Sequence, residues 1–163
     1  MTRRKNNSYI PKPFESAMGS KRDTSANIYM SMLKSDAFMS LTSSQKVLYL
    51  YCKSQQYGTS TNERAKFELI DKLEYFTFSE HKWREQFNLY SKANRNKFYK
   101  DMNRLIEVGL IDCVHSGQSS RTKNIYKLSS RWLKYGTEDF EIPESVKSAA
   151  YRHQEAKDKQ YNK

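Results

Sequence analysis

Between Arg95 and Arg104 the chain sets seven long or polar donors at close spacing: Arg95, Asn96, Lys97, Tyr99, Lys100, Asn103 and Arg104. A guanidinium can donate twice to O6 and N7 of guanine, and a carboxamide can donate and accept at N6 and N7 of adenine. An ammonium serves a phosphate as a point charge. The chemistry on offer is recognition of a nucleic acid, base edges included, and not bond-making. The same stretch carries Phe98, Met102, Leu105 and Ile106 at i, i+4, i+7 and i+8, the apolar stripe of an α-helix. Donors outside and a stripe inside are what a helix needs to lie in a groove while anchored to a core.

The neighbouring elements must hold that helix in place. Asn94, preferred over Ser91, is its expected cap, and Gly109 ends it where a left-handed residue is cheapest. Leu110-Ile111 then re-enters the core as a strand through about Ser116. The tip from Gly117 to Lys123 has no apolar residue, and Asn124 to Ser129 returns as the partner strand. Upstream, Ser35 caps a short helix through Leu41. Thr42 begins a longer one, because Thr42-x-x-Gln45 is a capping-box spacing. In that helix Val47, Leu48, Tyr51 and Cys52 are expected to face the core, and Gly58 ends it. Tyr75 to Phe78 reads as a short strand. Ser79-Glu80 starts a helix to about Leu89 with Trp83 and Phe87 on one face, followed by a turn at Tyr90 to Ala93. Residues 59–75 fit either a partial helix or a long ordered insertion.

Three segments follow from this pass. Residues 1–24 are a basic, polar arm containing two prolines, read equally as a phosphate-tracking arm or a plain tail. Residues 25–135 form the core domain, closed by Trp132 and Tyr135. Residues 136–163 are a linker and a polar helix from Pro143 to about Lys157. Its thin stripe of Val146, Ala150 and Tyr151 serves either a dimer contact or a solvated face.

Charge is distributed unevenly over these segments. Residues 81–136 hold twelve Lys and Arg against four Asp and Glu, which is +8 of the net +11. Residues 1–22 add +5, and the rest of the chain is slightly acidic. Such clustering marks a polyanion-binding face, whereas charge kept for solubility would be spread evenly.

The element order resembles the winged helix-turn-helix family. Members often end their third helix with Leu-x-x-x-Gly-(Leu/Phe)-Ile, which Leu105-Ile106-Glu107-Val108-Gly109-Leu110-Ile111 matches position for position. Tyr126-Lys127-Leu128-Ser129 leading to Trp132 looks like the second strand of the wing. A broader pattern, Ser35 to Thr42 followed by Leu48-Tyr49-Leu50, is similar to the DNA-binding domains of Gram-positive plasmid and phage replication initiators and related mobile-element accessory proteins. The resemblance covers roughly residues 28–135. It implies a mainly α fold with a small β-sheet (α+β): a winged helix-turn-helix with a two-stranded wing and helical or disordered terminal extensions.

The resemblance also implies roles. Base contacts fall to Arg95, Asn96, Lys97, Tyr99, Lys100 and Asn103. Backbone and wing contacts fall to Lys92, Arg104, Ser119, Ser120, Arg121 and Lys123. The implied partner is double-stranded DNA, with a homodimer on paired half-sites and a replication or relaxase protein as further partners. The implied process is replication initiation, conjugative transfer or transcriptional control of a mobile element. A protein-interaction module on the same scaffold, an inhibitor or assembly factor, is the alternative. One position departs from the family: Asp101 stands where a small apolar residue is usual, and is expected at the edge of the stripe, paired with Lys97 or Arg104. Residues 59–75 are also longer than the corresponding segment of minimal members.

No catalytic arrangement is legible, so the chain is not expected to be an enzyme or to need a cofactor or metal. His81, His115 and His153 are scattered, and Cys113-x-His115 is half of any metal site. There is no Gly-rich phosphate loop with lysine, and the twelve tyrosines lack the clustered histidines that DNA nicking requires. Cys52 and Cys113 sit in apolar runs, as reduced thiols do in the cytoplasm. No stretch is apolar enough for a membrane span, so a cytoplasmic location is expected.

Overall fold

The computed structural model describes residues 26–58, 75–117, 123–144 and 146. Two short helices, α1 (Met30–Leu33) and α2 (Asp36–Met39), lead into α3 (Ser43–Gly58). The strand β1 (Tyr75–Phe76) precedes α4 (His81–Gln86), which is wound as a π-helix. A 3-10 turn at Lys92–Asn94 opens α5 (Arg95–Glu107), followed by β2 (Ile111–His115), β3 (Ile125–Leu128) and a 3-10 turn at Arg131–Lys134. The strands form one antiparallel sheet in the order β1-β3-β2. The fold is therefore α+β, helices packed with a small sheet. Among the described residues no helix is long and apolar enough to cross a membrane.

The capping chemistry expected of the first helices is present. The Ser35 hydroxyl accepts from the Phe38 amide at 3.3 Å, although α2 stops at Met39 and leaves Leu41 buried beyond it. The capping box closes both ways: the Thr42 amide donates to Gln45 Oε1 (3.0 Å), and the Gln45 amide donates to Thr42 Oγ1 (3.4 Å). The inward face of α3 is rotated from the expected one. Leu48, Tyr49 and Cys52 are buried, whereas Val47 is 44% exposed and Tyr51 only half-buried. Residues 47–52 are all apolar, so periodicity could not choose among faces. Packing chose the one that puts the Cys52 thiol against Met102 Sδ of α5 at 3.8 Å.

α4 is shorter than the expected helix to Leu89. The Phe87 amide donates to the Lys82 carbonyl, five residues back (2.9 Å), and Asn88 at φ +48° ends the segment, a conformation asparagine tolerates better than most residues. Trp83 stacks on Phe98 of α5 at 4.6 Å between centroids and 17° between planes. Phe87 reaches Tyr51 at 4.8 Å and Phe78 at 6.1 Å. This aromatic cluster joins α3, the segment after β1, α4 and α5.

Asn94 does occupy the cap position of α5, but its side chain makes no capping bond. The other end is more elaborate. The Gly109 amide donates to the Ile106 carbonyl and the Leu110 amide to the Leu105 carbonyl, both at 3.0 Å, a Schellman closure with Gly109 at φ +80°. Leu105 and Leu110, which bracket this turn, are both fully buried. Arg131 completes the closure. Its guanidinium donates to the Ile106 carbonyl (2.7 Å), the Glu141 carbonyl (2.8 Å) and Asp112 Oδ1 (2.8 Å).

In the sheet, Asp112 lies opposite Lys127 and Cys113 opposite Tyr126, and an irregularity between Cys113 and His115 shifts the register toward the tip. The core extends past Tyr135: Ile142 packs against it and Val146 is buried. The expected arm at 1–24, the stretch 59–74 and the C-terminal helix beyond Val146 lie outside the described residues.

Candidate nucleic-acid interface

α5 is the element on which the site rests. Phe98, Met102, Leu105 and Ile106 are buried as their spacing predicts. At about 100° per residue, Asn96, Lys100 and Asn103 fall within roughly 60° of one another, opposite that stripe. All three are exposed, and none hydrogen-bonds or pairs with any described residue. They form the outward centre of the helix.

The cations on the flanks are engaged. Arg95 Nε lies 3.8 Å from Glu80 Oε2 and the guanidinium sits 5.8 Å above the Tyr99 ring. Tyr99 beside it and the Glu80 carboxylate raise the Arg95 pKa further. Glu80 also holds Arg84 Nη1 at 2.7 Å, and Arg84 pairs with Glu85 as well. On the opposite flank Arg104 pairs with Glu107 (3.1 Å) and reaches Ser40 Oγ (3.4 Å). Lys97 donates to Asp101 Oδ2 (2.7 Å) and to Ser44 Oγ (3.3 Å), and lies 5.6 Å from the Tyr90 ring centroid.

Asp101 differs from its expected place. It lies inside the packed face of α5, only 5% exposed, and it pairs with Lys97 and not with Arg104. Its carboxylate accepts three hydrogen bonds: Gln45 Nε2 at 2.9 Å, Tyr90 Oη at 2.8 Å and Lys97 Nζ at 2.7 Å. Burial pushes its pKa up, but the bonds from Lys97, Gln45 and Tyr90, with the Lys97 charge, outweigh burial and leave it below the usual carboxylate value. Burial, with help from Asp101, pushes the Tyr90 phenol far up, so it stays a donor. Asp101 thus ties α3, the turn before α5 and α5 itself at one point, and it draws Lys97 back along the helix flank.

Of the remaining candidates, Tyr99 is partly exposed with its ring edge-on to Phe98 at 5.2 Å, and Lys92 is exposed in the turn that opens α5. Lys123 is exposed just before β3. Ser119, Ser120 and Arg121 lie outside the described residues. At the base of the tip the Gly117 amide donates to Asn124 Oδ1 (2.8 Å), and Asn124 Nδ2 donates to Tyr126 Oη (2.9 Å), closing the hairpin on itself. The Cys113 thiol points at the His115 carbonyl (3.5 Å).

Comparison with known family models, curated proteins and solved structures returns no match for this chain. The functional reading therefore rests on the site itself. Sequence reasoning missed Glu80, Gln45, Tyr90 and Arg131 as the residues that position α5. Gln45 was visible as a cap, but its second bond spans 56 residues of chain. No local pattern carries that signal.

Proposed function

We propose that this chain is a winged helix-turn-helix protein that binds double-stranded DNA without catalysing a reaction, with α5 in the major groove and the β2–β3 hairpin as the wing. The observation that carries the reading is the division of α5 itself: one side buried, the other presenting Asn96, Lys100 and Asn103 without partners among the described residues. A major groove supplies acceptors for all of these donors along one line. Lys92 ahead of the helix and Lys123 beyond it are the residues set for phosphates, with the ion-paired Lys97 and Arg104 adding positive charge on the helix flanks. Arg95 and Tyr99 border the reading face. The process served is replication initiation, conjugative transfer or transcriptional control of a mobile element in the cytoplasm, and footprinting on DNA flanking the gene separates these. Repeats near an origin support the first two, and a site over a promoter supports the third.

Binding constants measured on duplex DNA over a range of salt are expected to fall steeply, with a log–log slope of about −0.9 per phosphate neutralised. Lys92→Ala is expected to weaken binding to all sequences alike and to make the slope shallower by about 1. A flat salt response overturns duplex binding. The alternative, a protein-interaction module, draws on the exposed apolar residues Tyr29, Met30, Val47 and Leu50. Passage through a duplex-DNA column at moderate salt without retention would favour it.

A further inference from the structure

We infer that α5 selects its DNA by adenine, through Asn96 and Asn103 acting as a pair about two to three base steps apart. The inference rests on the duplex-binding reading above and specifies which bases that site takes. Arginine to guanine is the usual strong contact, and Arg95 is the one arginine in the first two turns of α5. It lies to one side, above the Tyr99 ring and facing Glu80. Arg104 is held by Glu107 and Ser40. Reading guanine would require either guanidinium to abandon these partners.

The two carboxamides have nothing to abandon. Both are exposed, neither is bonded to a described residue, and they stand within about 20° of one line on the exposed face of α5. A carboxamide matches the N6 donor and N7 acceptor of adenine, and it presents the wrong pattern to the two acceptors of guanine. Seven residues at about 1.5 Å rise separate Asn96 from Asn103 by about 10 Å along the helix. A helix in the major groove lies oblique to the stacking axis, so two side chains about 10 Å apart along it address positions about two to three base steps apart. Lys100 lies between them and adds attraction without shape. Glu107, on the same face one turn further, is neutralised by Arg104 and marks where the reading line ends.

The test is selection of bound duplexes from a random pool by the full chain, followed by Asn96→Ala and Asn103→Ala. Both residues are exposed, so both variants should keep the wild-type circular dichroism and melting temperature. The expected consensus has two A·T pairs about two to three steps apart. Each substitution should erase the preference at one of them by about 5- to 150-fold, leaving the other intact. A consensus lacking such a pair, guanine at these positions, or both preferences surviving the substitutions would overturn the inference while leaving duplex binding standing. Recovery of no duplex by the wild-type chain overturns both.

Discussion

Gly109→Ala is expected to lower the stability of the fold by about 3–5 kcal/mol, near the upper limit for a single substitution. Gly109 has φ +80°, where a Cβ meets the chain's own carbonyl at a cost of about 1–2 kcal/mol. The added carbon would also lie 2.7 Å from the Trp132 amide nitrogen, 2.8 Å from the Arg131 carbonyl carbon and 2.9 Å from Arg131 Cβ. Two of those atoms are backbone, so a rotamer change cannot relieve the contact. The Trp132 amide also donates to the Gly109 carbonyl at 3.0 Å, which pins the two segments together. The glycine therefore serves twice, as the left-handed closure of α5 and as the gap into which the Arg131 turn fits. Gly136 provides the control. It has φ +82° but nothing within 4 Å of an added Cβ, so Gly136→Ala should cost only the left-handed strain, about 1–2 kcal/mol. Urea unfolding of the two variants separates the contributions. Equal losses would show that the approach of Arg131 and Trp132 is not what constrains Gly109.

Asp101→Ala carries the second large effect, a loss of about 2–4 kcal/mol, because it strands polar partners on three segments at once. Tyr90 would keep a buried donor and Gln45 a half-buried one without that acceptor, and Lys97 would lose its counter-charge. Lys97→Ala should cost less, about 1–2 kcal/mol, since its own side chain is 51% exposed and two other donors still satisfy the carboxylate. The pH dependence has a defined sign. The Asp101 pKa is depressed in the fold, so the unfolded chain takes up the proton first as pH falls. Its contribution is present in full above the unfolded value of about 4 and is lost as pH drops through the folded value. Wild type should therefore lose stability below about pH 4 more steeply than Asp101→Asn, whose side chain does not titrate there. Parallel acid limbs for the two proteins would remove Asp101 as the point where α5 is fixed.

On the proposed duplex-binding reading, both effects bear on recognition as well as stability. A helix that reads bases must hold its donors to within a fraction of an ångström. The Asp101 cluster sets the start of α5 against α3, and the Gly109–Arg131 closure sets its end against the sheet. A variant weakened at either point should lose sequence preference before it loses general affinity for DNA, since phosphate contacts tolerate displacement better than base contacts do.

Local patterns in the sequence determined a good deal. The stripe from Phe98 to Ile106, the capping box at Thr42, the stop at Gly109 and the hairpin flanking the polar tip were all legible, and the strand read over Tyr75 to Phe78 is present over Tyr75–Phe76. Each depends on residues a few positions apart whose chemistry has one local solution. The +8 charge over residues 81–136 was equally plain. Tertiary structure alone decided which of those charges are uncommitted. Lys97, Arg95 and Arg104 look equivalent to Lys100 along the chain. Yet Asp101, Glu80 and Glu107 take up the first three, and Asn96, Lys100 and Asn103 are left facing outward. It also decided that Asp101 is buried, because the donors that make burial tolerable come from Gln45 in α3 and Tyr90 in the turn, far away in sequence. Within the uniformly apolar run of α3, the inward face was settled by the neighbours: Leu48 and Cys52 were buried and Val47 was left outside. Local order follows from short-range sterics and hydrogen bonds, whereas the state of a side chain's charge depends on whichever distant group folding brings beside it.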